Sequence, residues 1–220
     1  STTFTSCSLV DKNHKSQNNN PVQYYGGQNF GIVISGPSGV GKTTIVNELM
    51  KRNPEIILSR SVTTRKPRRG EINGIDYNFI TQAEFNEMKN SGQLLESVSN
   101  YNNSYGTPLN NYYDALDNQQ DIVFVVDSYG MMSMKKNKDI DVLTIFIAPP
   151  SIDELSKRLA GRGSESKDSF NKRISAAQEE MKNAVSYDYV VYNCDLQDAV
   201  KIVDAIYKSE KYKRFIKGDN

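Results

Sequence analysis

Tryptophan is absent from this 220-residue chain, and histidine occurs once, as His14. A lone histidine in the amino-terminal stretch leaves none for acid–base chemistry in the remainder. Cysteine is almost as scarce. Cys7 and Cys194 stand too far apart to suggest a disulfide framework, which predicts a reducing, cytoplasmic setting. No run approaches the roughly 18 apolar residues of a membrane span, so no membrane attachment is expected. Net charge is missing too. With 27 basic and 26 acidic residues the chain carries +1, which supplies no global field for a nucleic acid, and none is expected as a partner. Any polyanion has to be met by a local cluster.

Residues 1–29 are rich in Asn, Ser and Gln and poor in aliphatic side chains. They lack the apolar core of a secretory signal and the arginines of a transit peptide, so the composition predicts a disordered tail ahead of a domain over 30–220. That length suffices for one α/β core with a small appended lobe, and a monomer is expected.

What is present is concentrated. Residues 36–44 read GPSGVGKTT behind the apolar run FGIVIS. Gly36, Pro37, Ser38, Gly39, Val40, Gly41, Lys42 and Thr43 keep the Walker A spacing, GxxxxGK followed by Ser or Thr, with Thr44 next. Glycines let successive N–H groups point into one concavity where phosphate oxygens can sit. Lys42 would reach the outer phosphates, and the Thr43 hydroxyl would ligate magnesium. The flanks fit: GIVIS predicts a short buried strand, and TTIVNELMKR puts Ile45, Val46 and Leu49 on one helical face.

Further apolar runs at 121–127, 142–148 and 188–193 alternate with helical patterns at 151–161, 169–185 and 196–215. Such alternation predicts an α/β P-loop fold, a parallel sheet with helices on both faces, built from 30–59 and 109–220. Between 60 and 108 the pattern changes to short alternating stretches with turn signals and a capping box at Thr81 and Glu84. This predicts an inserted, mixed α+β lobe. Five basic residues fall between Arg60 and Arg69, with hydroxyls at Ser61, Thr63, Thr64 and Tyr77 close by. Arginine forks beside hydroxyl donors suit a second phosphate, which points to transfer between two bound nucleotides.

The segments VISGPSGVGKTT, SVTTRKPRRGEINGIDYNF, YGTP, FIAPPS, RLAGRG and NKRISAAQEE, in that order from about Phe30 to Ile216, resemble those of the guanylate kinases. The resemblance implies an ATP-dependent, magnesium-requiring transfer of phosphate to GMP, and to dGMP, in purine nucleotide metabolism. It assigns Ser61, Arg65, Arg68, Tyr77 and Tyr105 to the phosphate of GMP, and Glu96, Thr107 and Asp127 to the guanine. Guanine offers N1–H and N2–H donors where adenine has no such pair, so carboxylate acceptors make chemical sense there. Lys42, Arg158, Arg162 and Arg173 would surround the moving phosphoryl group, the last three within a helical lid at about 158–173. Asn193 and Asp195 match a family segment near adenine, although an Asn after a strand also reads as a helix cap. Two positions depart from the family pattern: Val125 stands where an aspartate is usual, and Tyr129 replaces a glutamine. Those departures keep open a different class, a catalytically weak guanylate kinase-like module that binds phosphopeptides. A kinase for another nucleoside monophosphate is disfavoured by Glu96 with Asp127.

Overall fold

The computed structural model describes residues 28–100, 102–160 and 167–218. Arg162 and the predicted tail up to residue 27 lie outside them.

In chain order the elements are β1 (Gly31–Ser35), α1 (Lys42–Arg52), β2 (Ile56–Leu58), β3 (Val62–Thr63), β4 (Asn78–Phe79), α2 (Gln82–Asn90), β5 (Leu94–Asn100), β6 (Asn103–Pro108) and α3 (Leu109–Asp117). There follow β7 (Asp121–Val125), α4 (Ser128–Lys136), β8 (Val142–Ala148), α5 (Ile152–Ala160), α6 (Lys167–Lys182), a 3-10 turn over Asn183–Ser186, β9 (Tyr189–Tyr192) and α7 (Leu196–Gly218).

GIVIS is buried along its whole length because it occupies the middle of a parallel sheet ordered β2-β7-β1-β8-β9. Alternate side chains feed two cores. Ile32 and Ile34 pack with Ile45, Val46 and Leu49 of α1 and with Val200, Val203 and Tyr207 of α7. Val33 packs on the other face with Tyr112 and Ala115 of α3 and Met131 and Met134 of α4. Helices therefore cover both faces, and the P-loop leaves the central strand at its carboxyl end, where open α/β sheets bind ligands.

The second sheet has the order β4-β3-β6-β5, with β3 and β4 parallel and the remaining pairs antiparallel. Its register sets Glu96 opposite Thr107 and Thr63 opposite Tyr105, so Tyr105 and Thr107, two apart on β6, share a face. The capping box forms as expected, with the Thr81 hydroxyl accepting from the Glu84 N–H and Glu84 accepting from the Thr81 N–H.

Several boundaries differ from the sequence reading. The run 121–127 stops as a strand at Val125, because Asp127 becomes the cap of α4 and accepts from the Gly130 N–H at 2.8 Å. The helix expected over 169–185 begins at Lys167 and gives way after Lys182 to the 3-10 turn. The last helix continues to Gly218. Neither α3 nor α4 was predicted.

At the amino ends of the strands the sheet is closed by a buried charge network. Asp121, fully buried, accepts from the Phe30 N–H, from Tyr207 at 2.6 Å and from Lys211 at 2.7 Å. Arg214 is bonded to Asp141 and Glu210 and lies 4.1 Å over the Phe30 ring. No described helix is long and apolar enough to cross a membrane.

Candidate active site

The P-loop is fixed by close approaches that only glycine allows. A Cβ at Gly36, whose φ is 147°, would fall 2.2 Å from the Ile147 carbonyl oxygen. One at Gly41, the residue preceding α1, would fall 2.7 Å from the side-chain amide of Asn193. That amide donates to the Val40 carbonyl at 2.8 Å, so Asn193 braces the loop from the end of β9 rather than capping α7. Lys42 curls back and donates to the Gly36 and Pro37 carbonyls. Burial holds its pKa below the ordinary lysine value, and the Glu180 carboxylate pulls it back up. Ser38, Thr43 and Thr44 are exposed.

In the second lobe, Arg65 is held by more groups than any neighbour. Its Nη1 and Nη2 donate to the two carboxylate oxygens of Glu71, each at 2.9 Å, and Nη1 also donates to the Lys66 carbonyl. Its guanidinium lies 5.5 Å from the Tyr77 ring centre and 5.8 Å from that of Phe79. Tyr77 meets Tyr105 edge to face at 6.2 Å. The structure thus gathers Arg65, Tyr77 and Tyr105 at one place, with Arg68 tethered there through its backbone N–H to Glu71 at 2.7 Å. Ser61 precedes β3, and its carbonyl accepts from the Asn78 N–H next to Tyr77.

The carboxylates Glu96 and Asp127 come together from β5 and from the start of α4. Each is half engaged. Glu96 accepts from the Thr107 hydroxyl through Oε1 at 2.6 Å, and Asp127 spends Oδ1 on its cap, which leaves one oxygen on each without a donor among the described residues. Gly130 permits the approach, since a Cβ there would stand 3.2 Å from Glu96 Cγ. Burial raises the Glu96 pKa above the usual carboxylate value, and the charge on Asp127 adds to the rise. Two neighbouring carboxylates, each with an oxygen unengaged among the described residues, have the chemistry to accept from a group that presents paired N–H donors.

Arg158 donates to the Asn193 carbonyl at 3.2 Å and stands 3.4 Å from Glu154, beside the P-loop brace. Arg173 is half-buried on α6. Arg162, expected beside Arg158, falls outside the described residues.

The sequence matches the guanylate kinase family model over residues 28–210. The chain belongs to the guanylate kinase family. Its similarity to the guanylate kinase of Paramagnetospirillum magneticum is 41% identity over 183 residues, covering 83% of this chain and 86% of that one. To the guanylate kinase of Clostridioides difficile it is 43% identical over 182 residues, covering 83% and 88%. The crystal structure of guanylate kinase from Anaplasma phagocytophilum superposes with a TM-score of 0.68 at 30% identity, over 86% of this chain and 89% of that one.

Set against the family pattern, the two departures lie in the open. Val125 ends β7 with 38% of its surface exposed, and Tyr129 in the first turn of α4 is 74% exposed. Sequence reasoning missed two carboxylates that this guanylate kinase fold brings into the site. Glu71 bonds the Arg65 guanidinium and the Arg68 N–H. Glu180, half-buried near the end of α6, acts electrostatically on Lys42 and also feels Asp127. Glu180 lies seven residues after Arg173, hence on the same helical face, and that spacing was the available signal.

Proposed function

We propose that this protein transfers the γ-phosphoryl group of ATP to GMP, and to dGMP, releasing ADP and GDP or dGDP. A phosphate oxygen of GMP attacks the γ-phosphorus in line, the bond from that phosphorus to the β–γ bridging oxygen breaks, and ADP leaves with the electron pair. A nucleoside monophosphate is largely dianionic at neutral pH, so the acceptor oxygen needs no general base, consistent with a described chain that has no histidine.

One observation carries this reading. Beside a P-loop on the parallel sheet, the chain carries a second lobe with an arginine–tyrosine cluster, and Glu96 of that lobe meets Asp127 at the start of α4 as a pair of half-engaged carboxylates. In this reading residues 60–108 form the acceptor lobe. Ser61, Arg65, Arg68, Tyr77 and Tyr105 hold the phosphate, while Glu96, Asp127 and Thr107 accept and orient the guanine. Lys42 and residues 36–44 hold ATP. Arg158, Arg162 and Arg173, in a lid at about 158–173, close over the phosphoryl group and exclude water that would otherwise compete as acceptor.

The donor set suits magnesium. Among the described residues there is no group of three or more His, Cys, Asp or Glu able to cage a metal, whereas the Thr43 hydroxyl is exposed at the first turn of α1. Thr43 would supply one ligand, and phosphate oxygens and water the remainder. Bound there, magnesium neutralises charge on the β- and γ-phosphates.

ADP formation from ATP, measured with GMP, dGMP, AMP, CMP or UMP as acceptor, tests the reading. Turnover with GMP and dGMP, and little with the others, is expected. Equal rates with AMP would overturn the guanine assignment. No turnover with any nucleotide, together with binding of a phosphopeptide, would establish the scaffold-module reading in its place.

A further inference from the structure

We propose that Glu71 is a positioning residue of the acceptor site, orienting Arg65 so that its Nε edge faces the phosphate of GMP while fixing the backbone of Arg68 with the same carboxylate. This rests on the reading of the second lobe as the phosphate site for GMP. The case begins with the donors of the guanidinium. Nη1 gives one hydrogen to Glu71 Oε2 and one to the Lys66 carbonyl, and Nη2 gives one to Glu71 Oε1. Among the described residues the N–H of Nε and the second N–H of Nη2 have no carboxylate or carbonyl acceptor, and they lie side by side on the edge away from Glu71. That edge has the spacing of two phosphate oxygens. The Tyr105 hydroxyl is a hydrogen-bond partner of the same guanidinium, and the rings of Tyr77 and Phe79 wall it in. An arriving phosphate therefore meets a prepared fork and does not have to displace Glu71.

Glu71 also closes the loop that carries the second arginine. Its own N–H donates to the Arg68 carbonyl at 3.0 Å, and its Oε2 accepts from the Arg68 N–H at 2.7 Å. The side chains of Arg65 and Glu71 are 13% and 20% exposed. Arg65 and the Arg68 N–H hold the Glu71 carboxyl down to about 2, so it stays ionised throughout the working range. A paired carboxylate beside an anion site lowers its positive potential. Arg65, Lys66, Arg68 and Arg69 outnumber it, and the gain is geometric: a planar fork pre-set for its partner loses less freedom on binding.

The opposite role is equally definite. Glu71 could instead compete with phosphate for Arg65, and the sign of one substitution separates the two. Kinetics and calorimetric GMP binding would be measured for wild type, Glu71→Gln, Glu71→Asp, Arg65→Ala and the Arg65→Ala/Glu71→Gln double variant. Positioning requires E71Q to raise the KM and Kd for GMP roughly tenfold, with kcat and the KM for ATP nearly unchanged. The penalty should shrink in the R65A background, because the fork that Glu71 orients is gone. E71D keeps the charge with a shorter reach, and an intermediate GMP KM is expected; it also serves should E71Q fold poorly. Tighter GMP binding by E71Q, or an unchanged GMP KM in both Glu71 variants, overturns the proposal. If R65A itself leaves the GMP KM unchanged, the placement of the acceptor phosphate fails. If R65A raises it and the Glu71 variants do not, only the role of Glu71 fails.

Discussion

The two ends of the parallel sheet handle charge in opposite ways. At the amino ends, Asp121 is fully buried, yet its carboxylate accepts from a backbone N–H, from Asn29, from Tyr207 and from Lys211. Burial, reinforced by Asp121, pushes the Tyr207 phenol pKa far up, so that hydroxyl remains a donor at any physiological pH. At the carboxyl ends, Glu96 and Glu180 are held above their ordinary pKa by burial, and both also feel Asp127. Lys42 is held below its own. The closed end has arranged partners for its charges. The open end keeps charges that the described residues do not fully satisfy, which is the condition of a site waiting for a ligand. The lesson is that burial alone does not mark function; a shortage of partners does.

Lys42 offers the sharpest break of this comparison. Lys42→Ala should lower kcat by at least about a hundredfold, because the ammonium meets charge that grows along the transfer path. Its melting temperature should hold or rise slightly, since a partly desolvated cation has been removed. Near-normal turnover would remove Lys42 from the reaction. The mirror experiment is at the closed end. Asp121→Ala strands Lys211 and the Phe30 N–H in a buried place, while the Tyr207 hydroxyl keeps Glu55, and should cost about 3–5 kcal/mol of stability. Activity measured well below its melting point should stay close to wild type. A large loss of kcat/KM in folded D121A would show that the two ends are coupled.

This division also explains what could be read in advance. The P-loop, the arginine segment and the capping box at Thr81 are local patterns, each set by spacing within a few residues, so they appear in the sequence as they do in the fold. The Asp121 network joins Phe30, Asp121, Tyr207 and Lys211 across the chain, and no local pattern marks it. Asp127 was legible as a carboxylate after an apolar run, but its capping bond to Gly130 was not, and α4 was missed with it. Glu71 and Glu180 were hidden in charge-rich stretches, where a solvated face is the ordinary outcome. Only the tertiary structure shows which of those charges turn inward.

Base selection should show a smaller effect than loss of Lys42. With Thr107 bonded to one oxygen of Glu96, the other accepts from guanine in the proposed complex. Glu96→Gln turns that acceptor into an N–H donor and should lower kcat/KM for GMP by about 5- to 150-fold, with AMP little changed. The pH profile adds an independent check. Glu96 must be ionised to accept, and its pKa is raised, so GMP affinity in the wild type should fall with acidification earlier than an ordinary carboxylate would dictate. That limb should vanish in E96Q. Glu71, ionised down to about 2, cannot produce it. A parallel fall for GMP and AMP would make Glu96 structural.

The smallest effect at neutral pH is expected at Glu180. Its carboxylate opposes the desolvation of Lys42, but it also repels incoming phosphate, and the two influences on turnover have opposite signs. Glu180→Gln should therefore change kcat/KM for ATP within about threefold near pH 7. Raising the pH separates the two influences. Burial lowers the Lys42 pKa and Glu180 raises it, so removing the carboxylate lets it fall further, and loss of the ammonium begins at lower pH. The alkaline limb of kcat against pH, followed from neutrality to about pH 10, should move to lower pH in E180Q. An unmoved limb would mean that Glu180 does not sustain the charge on Lys42. The carboxyl end of the sheet would then hold one strained carboxylate pair rather than a coupled set around the P-loop lysine.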